Sequence, residues 1–304
     1  MTTTDAMGKA ALGAGEQAVK LVIRPRPRDL GGLVVRRALP NRDLTAVGPF
    51  IFFDEMGPVQ LPPGQGIDVR PHPHIGLSTL TWLIEGEILH RDSIGSVVRI
   101  RPGEVNWMTA GAGVVHSERT PPDVRAAGSS LHGLQMWLAL PRSHEETAAT
   151  FEHFAAPDLP VWSRGGCRVV LIAGSGWGAR APVSVFSPTL CADATLAAGA
   201  TLTIEAEHEE RALYPLAGTI TLAGARFGTS QMVVLRAGVP VDVGAESAAR
   251  FVIIGGAPLD GPRHLWWNFV SSRPERIEQA KADWAAGRFA RVAGDDAFIP
   301  LPEA

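Results

Sequence analysis

Short apolar runs of four to seven residues recur along the chain and are separated by glycine and proline. The runs lie at residues 19–23, 33–39, 50–53, 80–84, 97–100, 105–108 and 134–140. Turn signals such as Gly48-Pro49 and Pro102-Gly103 stand between them. Short strands at this spacing are typical of a β-barrel or a β-sandwich. The pattern therefore predicts an all-β fold.

A second β-rich stretch, residues 161–256, repeats the layout of the first. The segment Trp82-Leu83-Ile84-Glu85-Gly86 has a counterpart in Tyr214-Pro215-Leu216-Ala217-Gly218. Such self-similarity indicates two copies of one structural unit. We predict a disordered tail at 1–18, a first barrel at 19–150, a second barrel at 151–260 and a C-terminal helical tail at 261–304.

The helical tail is predicted from its start signal and its spacing. Ser272-Arg273-Pro274-Glu275 has the form of a capping box, and apolar positions follow at helical spacing up to Gly287. These positions include Ile277, Ala280 and Trp284. We interpret the preceding Trp266-Trp267 pair as a packing anchor.

Composition narrows the function classes. The 304 residues carry a formal net charge of −3, so no broad attraction for nucleic acid or an anionic membrane is expected, while a protein partner stays open. Cys167 and Cys191 form no CxxC motif, which argues against a thiolate metal site. No apolar run of about 18 residues and no signal-peptide pattern is present. We expect a cytoplasmic protein.

Two pairs of polar residues at a spacing of two suggest a metal site. Alternate residues on a strand share a face, so His72 and His74 would project together, as would His116 and Glu118. A lone histidine in an apolar strand is more often a hydrogen-bonded or surface residue, but two matched pairs offer three imidazoles and one carboxylate to a divalent metal. We therefore interpret these four residues as metal ligands.

The repeat provides an internal control for this interpretation. Aligning Gly86 with Gly218 and Gly103 with Gly238 assigns apolar residues to the four ligand positions of the second half. These residues are Ile204, Ala206, Phe251 and Ile253. We predict one metal per chain, bound in the first barrel.

Several runs resemble a known family. Gly66-x5-His72-x-His74 and Gly113-x-x-His116 resemble the two cupin motifs, and the runs HPHIGL, EGEILHRDS, WMTAGAGVVHSE and GLQMWLALP resemble the pirin family. The resemblance extends over nearly all of residues 20–140, and HLWWNFVSSRPERIEQAKADW looks like the tail of a bacterial pirin subgroup. It implies two tandem cupin domains, each a jelly-roll β-barrel.

The resemblance also implies a cofactor and two alternative functions. Fe(II) would be held in the first cupin by His72, His74, His116 and Glu118, and another divalent metal stays open. Some pirins are similar to quercetin 2,3-dioxygenases, which cleave a flavonol with O2; Glu118 would then be both ligand and catalytic proton acceptor. Other pirins are redox-sensitive regulators that bind a transcription factor or a metabolic enzyme.

Other residues near the motifs receive weaker predictions. Many cupins have a glutamate where this chain has Ser78, which alters the surroundings of the ligands. His90 is either a partner of the ligands or a structural histidine. We expect Gln135 and Trp137 to pack in the core, and His132, His144 and His153 to lie on the surface or in loops.

Overall fold

The computed structural model describes residues 18–29 and 33–302, so the tail predicted at 1–18 lies almost entirely outside the described residues. In chain order the first elements are β1 Val19–Ile23, β2 Arg26–Asp29, β3 Val34–Leu39, β4 Phe50–Leu61, β5 Asp68–His74, β6 Leu77–Glu85, β7 Ile88–Asp92, β8 Val97–Ile100, β9 Val105–Thr109, β10 Val114–Arg119, α1 Pro122–Ala127, β11 Ser129–Ala139 and β12 Thr150–Phe154. The second half contains β13 Val161–Arg164, β14 Cys167–Gly176, β15 Ala179–Arg180, β16 Thr189–Leu196, β17 Thr201–Ile204, β18 Glu210–Ala217, β19 Ile220–Leu222, β20 Ala225–Phe227, β21 Met232–Leu235, β22 Val241–Ala245 and β23 Ala249–Gly256. The chain closes with β24 His264–Trp266, β25 Phe269–Ser271 and α2 Pro274–Ala285.

The strands form two barrels of the same design, and the predicted all-β fold with two tandem jelly-roll barrels is confirmed. In the first barrel a seven-stranded sheet, β12-β9-β6-β11-β4-β3-β2, faces a four-stranded sheet, β5-β10-β7-β8. In the second barrel the order β1-β21-β18-β23-β16-β14-β13 faces β17-β22-β19-β20. Within the described ranges, no helix is long and apolar enough to cross a membrane.

Strand β1 is exchanged between the two halves. It lies inside the range predicted for the first barrel, yet it pairs with β21 of the second, with Ile23 opposite Met232. The equivalent edge of the first barrel is filled by β12, which pairs with β9. The predicted domain boundaries therefore do not describe the sheet membership of β1, and as boundaries along the chain they stay a prediction.

The two large sheets pack back to back and share one core. Residues such as Phe53, Trp82 and Trp107 of the first sheet lie in the same cluster as Tyr214 and Ile254 of the second. Burial of aromatic and aliphatic surface of this kind is the main stabilising force in such a sheet packing. The shared core holds the two barrels together.

Two buried hydrogen bonds cross the contact between the barrels. The indole Nε1 of Trp82 donates to Asp193 at 2.9 Å, and the hydroxyl of Tyr214 donates to Glu55 at 2.7 Å. Both carboxylates are almost fully buried, and the two bonds give the buried indole N–H of Trp82 and the buried hydroxyl of Tyr214 their acceptors. They therefore add directional contacts to an apolar interface.

The pairing of strands corrects the internal alignment made from the sequence. In the first barrel β5 pairs with β10, with His74 opposite Val114 and His72 opposite His116. In the second, β17 pairs with β22, with Ile204 opposite Val241 and Leu202 opposite Val243. The positions of His72, His74, His116 and Glu118 therefore correspond to Leu202, Ile204, Val243 and Ala245.

The sequence alignment was wrong because it matched two glycines that precede different strands. Gly238 precedes β22, which is the counterpart of β10, whereas Gly103 precedes β9, one strand earlier. Phe251 and Ile253 therefore lie on β23, the counterpart of β11, and Ala206 lies beyond β17. The four corrected counterparts are all apolar and all lie in the core of the second barrel. These four positions of the second barrel therefore offer no metal-binding side chain, and one metal per chain stays a prediction.

The C-terminal segment packs beside the first barrel, and its predicted helix is confirmed as α2. The capping box is not formed, because Arg273 is the N-cap residue and the Ser272 hydroxyl donates to Glu145. Ile277 and Ala280 pack against Ile75 and Phe269 in one apolar cluster, and both predicted anchor tryptophans pack against that cluster.

Gly76 allows the segment to approach the barrel closely. It has φ of +68°, and a Cβ at this position would lie 1.9 Å from the carbonyl oxygen of Val270. Any other residue would force β25 away from the strand that carries His74. The C-terminal hairpin is thus held next to the predicted metal ligands.

Candidate metal centre

Two neighbouring strands of the small sheet, β5 and β10, carry the four predicted ligands on one face. His72 of β5 lies opposite His116 of β10. One extra residue on β5 shifts the register, so that Glu118 lies opposite Val69. Pro71 sits at this bulge, where a missing backbone N–H is tolerated. Strand β10 itself stays regular, and Glu118 therefore keeps the same face as His116.

The three histidines converge inside the first barrel. Donor atoms of His72, His74 and His116 lie within 4.8 Å of one another. The Nε2 atoms of His74 and His116 are 3.1 Å apart. The side chains are almost fully enclosed, with exposed fractions of 7%, 0% and 1%. These three predicted residues are brought together at a single point.

Hydrogen bonds outside this point determine which ring nitrogen faces it. The Nδ1 of His72 lies 2.8 Å from the carbonyl oxygen of Arg70, and the Nδ1 of His74 lies 3.3 Å from that of Asn268. A carbonyl oxygen can only accept, so both Nδ1 atoms carry the proton and both Nε2 lone pairs are free. Orientation of ligating histidines through the outer nitrogen is typical of metal centres.

Burial keeps the three rings neutral. The pKa of His72 falls to about 4, mainly because the ring is buried and in addition because His90 lies nearby. Burial, together with the neighbouring rings, lowers the pKa of His74 and that of His116 well below the usual value. Neutral imidazoles are the form that binds a metal. Three of them together fit a borderline divalent ion and form the one His, Cys, Asp or Glu cluster of this kind in residues 18–29 and 33–302.

Glu118 lies beside the three histidines but outside their donor group. Its carboxylate lies 3.3 Å from the hydroxyl of Thr81. Burial raises the pKa of Glu118, although His90 and the Thr81 hydrogen bond act in the opposite direction. The side chain is only partly enclosed, unlike the three histidines. Its role as a fourth ligand stays a prediction.

The wall opposite the histidines is partly aromatic and partly polar. Trp137 meets the ring of His74 edge-on, with 5.0 Å between centroids, and stacks on Phe52 at 3.9 Å. Gln135 is only half-buried, and its side-chain oxygen accepts from Thr81 at 2.8 Å. The prediction that Trp137 packs in the core is confirmed, although its contact with His74 was not predicted. The same prediction is wrong for Gln135.

The alternation of side chains along a strand could have assigned Gln135 and Thr81 to the face that carries the site. Each is a polar residue between two large apolar neighbours in the chain, and the two lie opposite each other on β11 and β6. The pairing of the two strands was not deducible from the local sequence, so the contacts of Thr81 with Gln135 and with Glu118 were missed.

The remaining histidine and serine predictions have mixed outcomes. His144 is exposed, as expected, whereas His153 lies half-buried on β12 and bonds to Asn106 at 2.7 Å. His132 is buried and bonds to Glu55 at 2.9 Å, so its surface prediction is wrong. Ser78 bonds to Thr109 at 3.1 Å on the side that faces the second barrel, away from the histidines.

Comparisons with known proteins give a consistent result. The family model described as Pirin matches residues 32–138, and that described as Pirin C-terminal cupin domain matches residues 191–290. A pirin-like protein of Caulobacter vibrioides is 47% identical over 289 residues, which cover 94% of this chain and 100% of the relative. The mouse protein Pirin is 31% identical and is covered over 93% of its length by 89% of this chain.

A solved structure is also similar along nearly its whole length. The crystal structure of a quercetin 2,3-dioxygenase from Acinetobacter baumannii has a TM-score of 0.88 to this chain at 34% sequence identity. The match covers 95% of this chain and 97% of that one.

Proposed function

The chain belongs to the pirin family, and on that premise we propose that it is a metal-dependent dioxygenase that cleaves quercetin-like flavonols with O2. The observation that carries the proposal is the convergence of three buried, neutral histidines, with a partly enclosed carboxylate beside them. The similarity to the Acinetobacter baumannii quercetin 2,3-dioxygenase supports the choice of substrate class.

In this proposal His72, His74 and His116 hold one Fe(II) through Nε2, with Glu118 as the fourth ligand. Nitrogen and carboxylate ligands with positions left open are typical of non-haem iron oxygenases, and a site that is only structural is usually closed and rich in cysteine. Bound iron supplies Lewis acidity and a redox couple for the reaction with O2. Another divalent ion of the same ligand preference would fit the same donor set.

Glu118 is the residue that accepts the hydroxyl proton of the flavonol. A carboxylate within reach of the substrate hydroxyl is a typical general base. The partial enclosure of Glu118 leaves it reachable by a substrate. The hydroxyl of Thr81 lies between Glu118 and Gln135, within hydrogen-bonding distance of both. The single hydroxyl proton of Thr81 is donated to one of the two at a time. Gln135 offers a polar contact to substrate oxygens.

The aromatic pair Phe52 and Trp137 forms the apolar part of the same wall. The two rings stack nearly parallel, at an angle of 11°. Trp137 also contacts His74, so the wall and the metal ligands are packed as one unit. A rigid apolar wall beside the histidines suits a planar aromatic substrate and limits the access of water.

The test is oxygen uptake by protein that has been reconstituted with Fe(II) under anaerobic conditions and then mixed with quercetin. We expect uptake that depends on both iron and flavonol. The matched control is His74→Ala, which should show neither bound iron nor uptake.

Absence of uptake by fully loaded wild-type protein with any flavonol would overturn the proposal. The alternative would then be a redox-sensitive regulator, in which oxidation of the iron changes the affinity for a protein partner.

A further inference from the structure

We propose that His90 and Asp92 are positioning residues, which fix the tautomer of His116 so that its Nε2 lone pair faces the metal. The inference rests on the proposed metal site and does not depend on which substrate is used. Neither residue belongs to the group of three histidines whose donor atoms converge. Both act through His116.

Strand pairing brings the three side chains to one face. On β10 and β7, His116 lies opposite Asp92, and Glu118 lies opposite His90. The Nδ1 atoms of His116 and His90 are 3.4 Å apart, and the Nε2 of His90 lies 3.0 Å from Asp92. All three side chains are buried. The ring of His90 also stacks on Phe151 at 4.4 Å, which holds its orientation.

The Asp92 carboxylate determines which ring nitrogens of His90 and His116 carry a proton. One carboxylate oxygen of Asp92 accepts the backbone N–H groups of Ile94 and Ser96, at 3.1 and 2.9 Å. The other oxygen can only accept from His90, so the Nε2 of His90 carries its proton. We infer that His90 carries this single N–H, so that its Nδ1 is an acceptor. The proton between the two Nδ1 atoms belongs to His116, whose Nε2 is left bare.

His116 differs in this respect from the other two histidines. The Nδ1 atoms of His72 and His74 face backbone carbonyl oxygens, which no substitution removes. The tautomer of His116 is determined by side chains alone. It is therefore the one of the three that a change elsewhere in the sequence can reverse.

The second barrel supports the link between this pair and the ligands. Its strands β22 and β19 pair with Val243 opposite Leu222 and Ala245 opposite Ile220. Leu222 and Ile220 occupy the positions of Asp92 and His90. The barrel that has apolar residues in place of the ligands also has apolar residues in place of this pair.

The testing variant is Asp92→Asn. Its side-chain oxygen is still needed by the N–H groups of Ile94 and Ser96, so the amide NH2 must face His90. His90 then accepts at Nε2 and donates from Nδ1, and the proton of His116 moves to Nε2. We expect the histidine ¹⁵N spectrum of the metal-free variant to show an Nε2–H tautomer for His116, where wild type shows Nδ1–H. Affinity for Zn(II), measured against a chelator, should fall about 10- to 100-fold.

The matched control is Asp193→Asn, which changes a buried carboxylate at the contact between the barrels. It should leave the tautomer of His116 and the Zn(II) affinity unchanged. A second variant, His90→Phe, keeps the stacking on Phe151 and removes the acceptor. It should give a mixture of His116 tautomers, and it tests the inference if Asp92→Asn does not fold.

Wild-type Zn(II) affinity in folded Asp92→Asn, with His116 still in the Nδ1–H form, would overturn the inference. So would an Nε2–H tautomer in the wild-type protein. The tautomer is read without metal or flavonol. A wild-type chain that bound no metal would therefore overturn the proposed function, while the spectrum would still decide this inference.

Discussion

Acidification should destabilise the metal-free protein, because its ligand histidines are buried in the neutral form. The pKa of His72 is about 4 in the folded chain, against an ordinary value of 6.5. Between these two values the unfolded chain binds more protons than the folded chain. The contribution of His72 to stability is therefore fully present above about pH 6.5, and it is lost as the pH falls toward 4.

The size of the effect follows from the two pKa values. Proton linkage gives a loss of about 2 kcal/mol for His72 alone when the pH is lowered from 7 to 5. The lowered pKa values of His74 and His116 act in the same direction. A loss of this size is a large fraction of the roughly 5–15 kcal/mol by which a domain is stable.

Urea unfolding of the metal-free protein at pH 7 and pH 5 measures this loss. The free energy of unfolding of His72→Gln should fall by about 2 kcal/mol less between the two pH values than that of wild type. His144→Gln, which changes an exposed histidine, is the control and should follow wild type. If wild type and His72→Gln lost equal stability on acidification, the buried neutral state of His72 would be refuted.

Three further predictions concern single substitutions. Glu118→Gln should lower flavonol turnover about 10²- to 10⁴-fold at equal iron occupancy, because the amide cannot accept the substrate proton; equal turnover would remove the base role. His74→Ala should lose the metal but keep the far-ultraviolet circular dichroism of the fold, since each barrel has its own apolar core; an unfolded variant would make the metal structural. Tyr214→Phe should reduce the free energy of unfolding by about 1.5–3 kcal/mol, because it removes a buried hydrogen bond to the Glu55 carboxylate; unchanged urea unfolding would contradict this.

The sequence predicted those features that depend on the local chain. A period of two is a property of any strand, so the pairs His72/His74 and His116/Glu118 could be assigned to shared faces without a structure. The apolar runs and turn signals likewise predicted two barrels and the final helix. The same spacing of two would also have predicted that His90 and Asp92 share a face of β7.

Features that depend on pairing between distant strands could not be predicted in this way. Strand β1 enters the second barrel through its contact with β21, far away along the chain. The misplaced alignment of Gly238 has the same origin, because a glycine marks a turn without saying which strand follows. Tertiary contacts also determine the N-terminus of α2. The hydroxyl of Ser272 donates to Glu145, and the predicted capping box is not formed.

The claim that the first barrel holds a single metal is tested most directly by metal analysis of the reconstituted chain, combined with anomalous diffraction from its crystals. We predict one equivalent per chain, located among the Nε2 atoms of His72, His74 and His116, and its loss in His74→Ala. Two equivalents inside the folded chain, or a ligand drawn from residues 161–256, would contradict it.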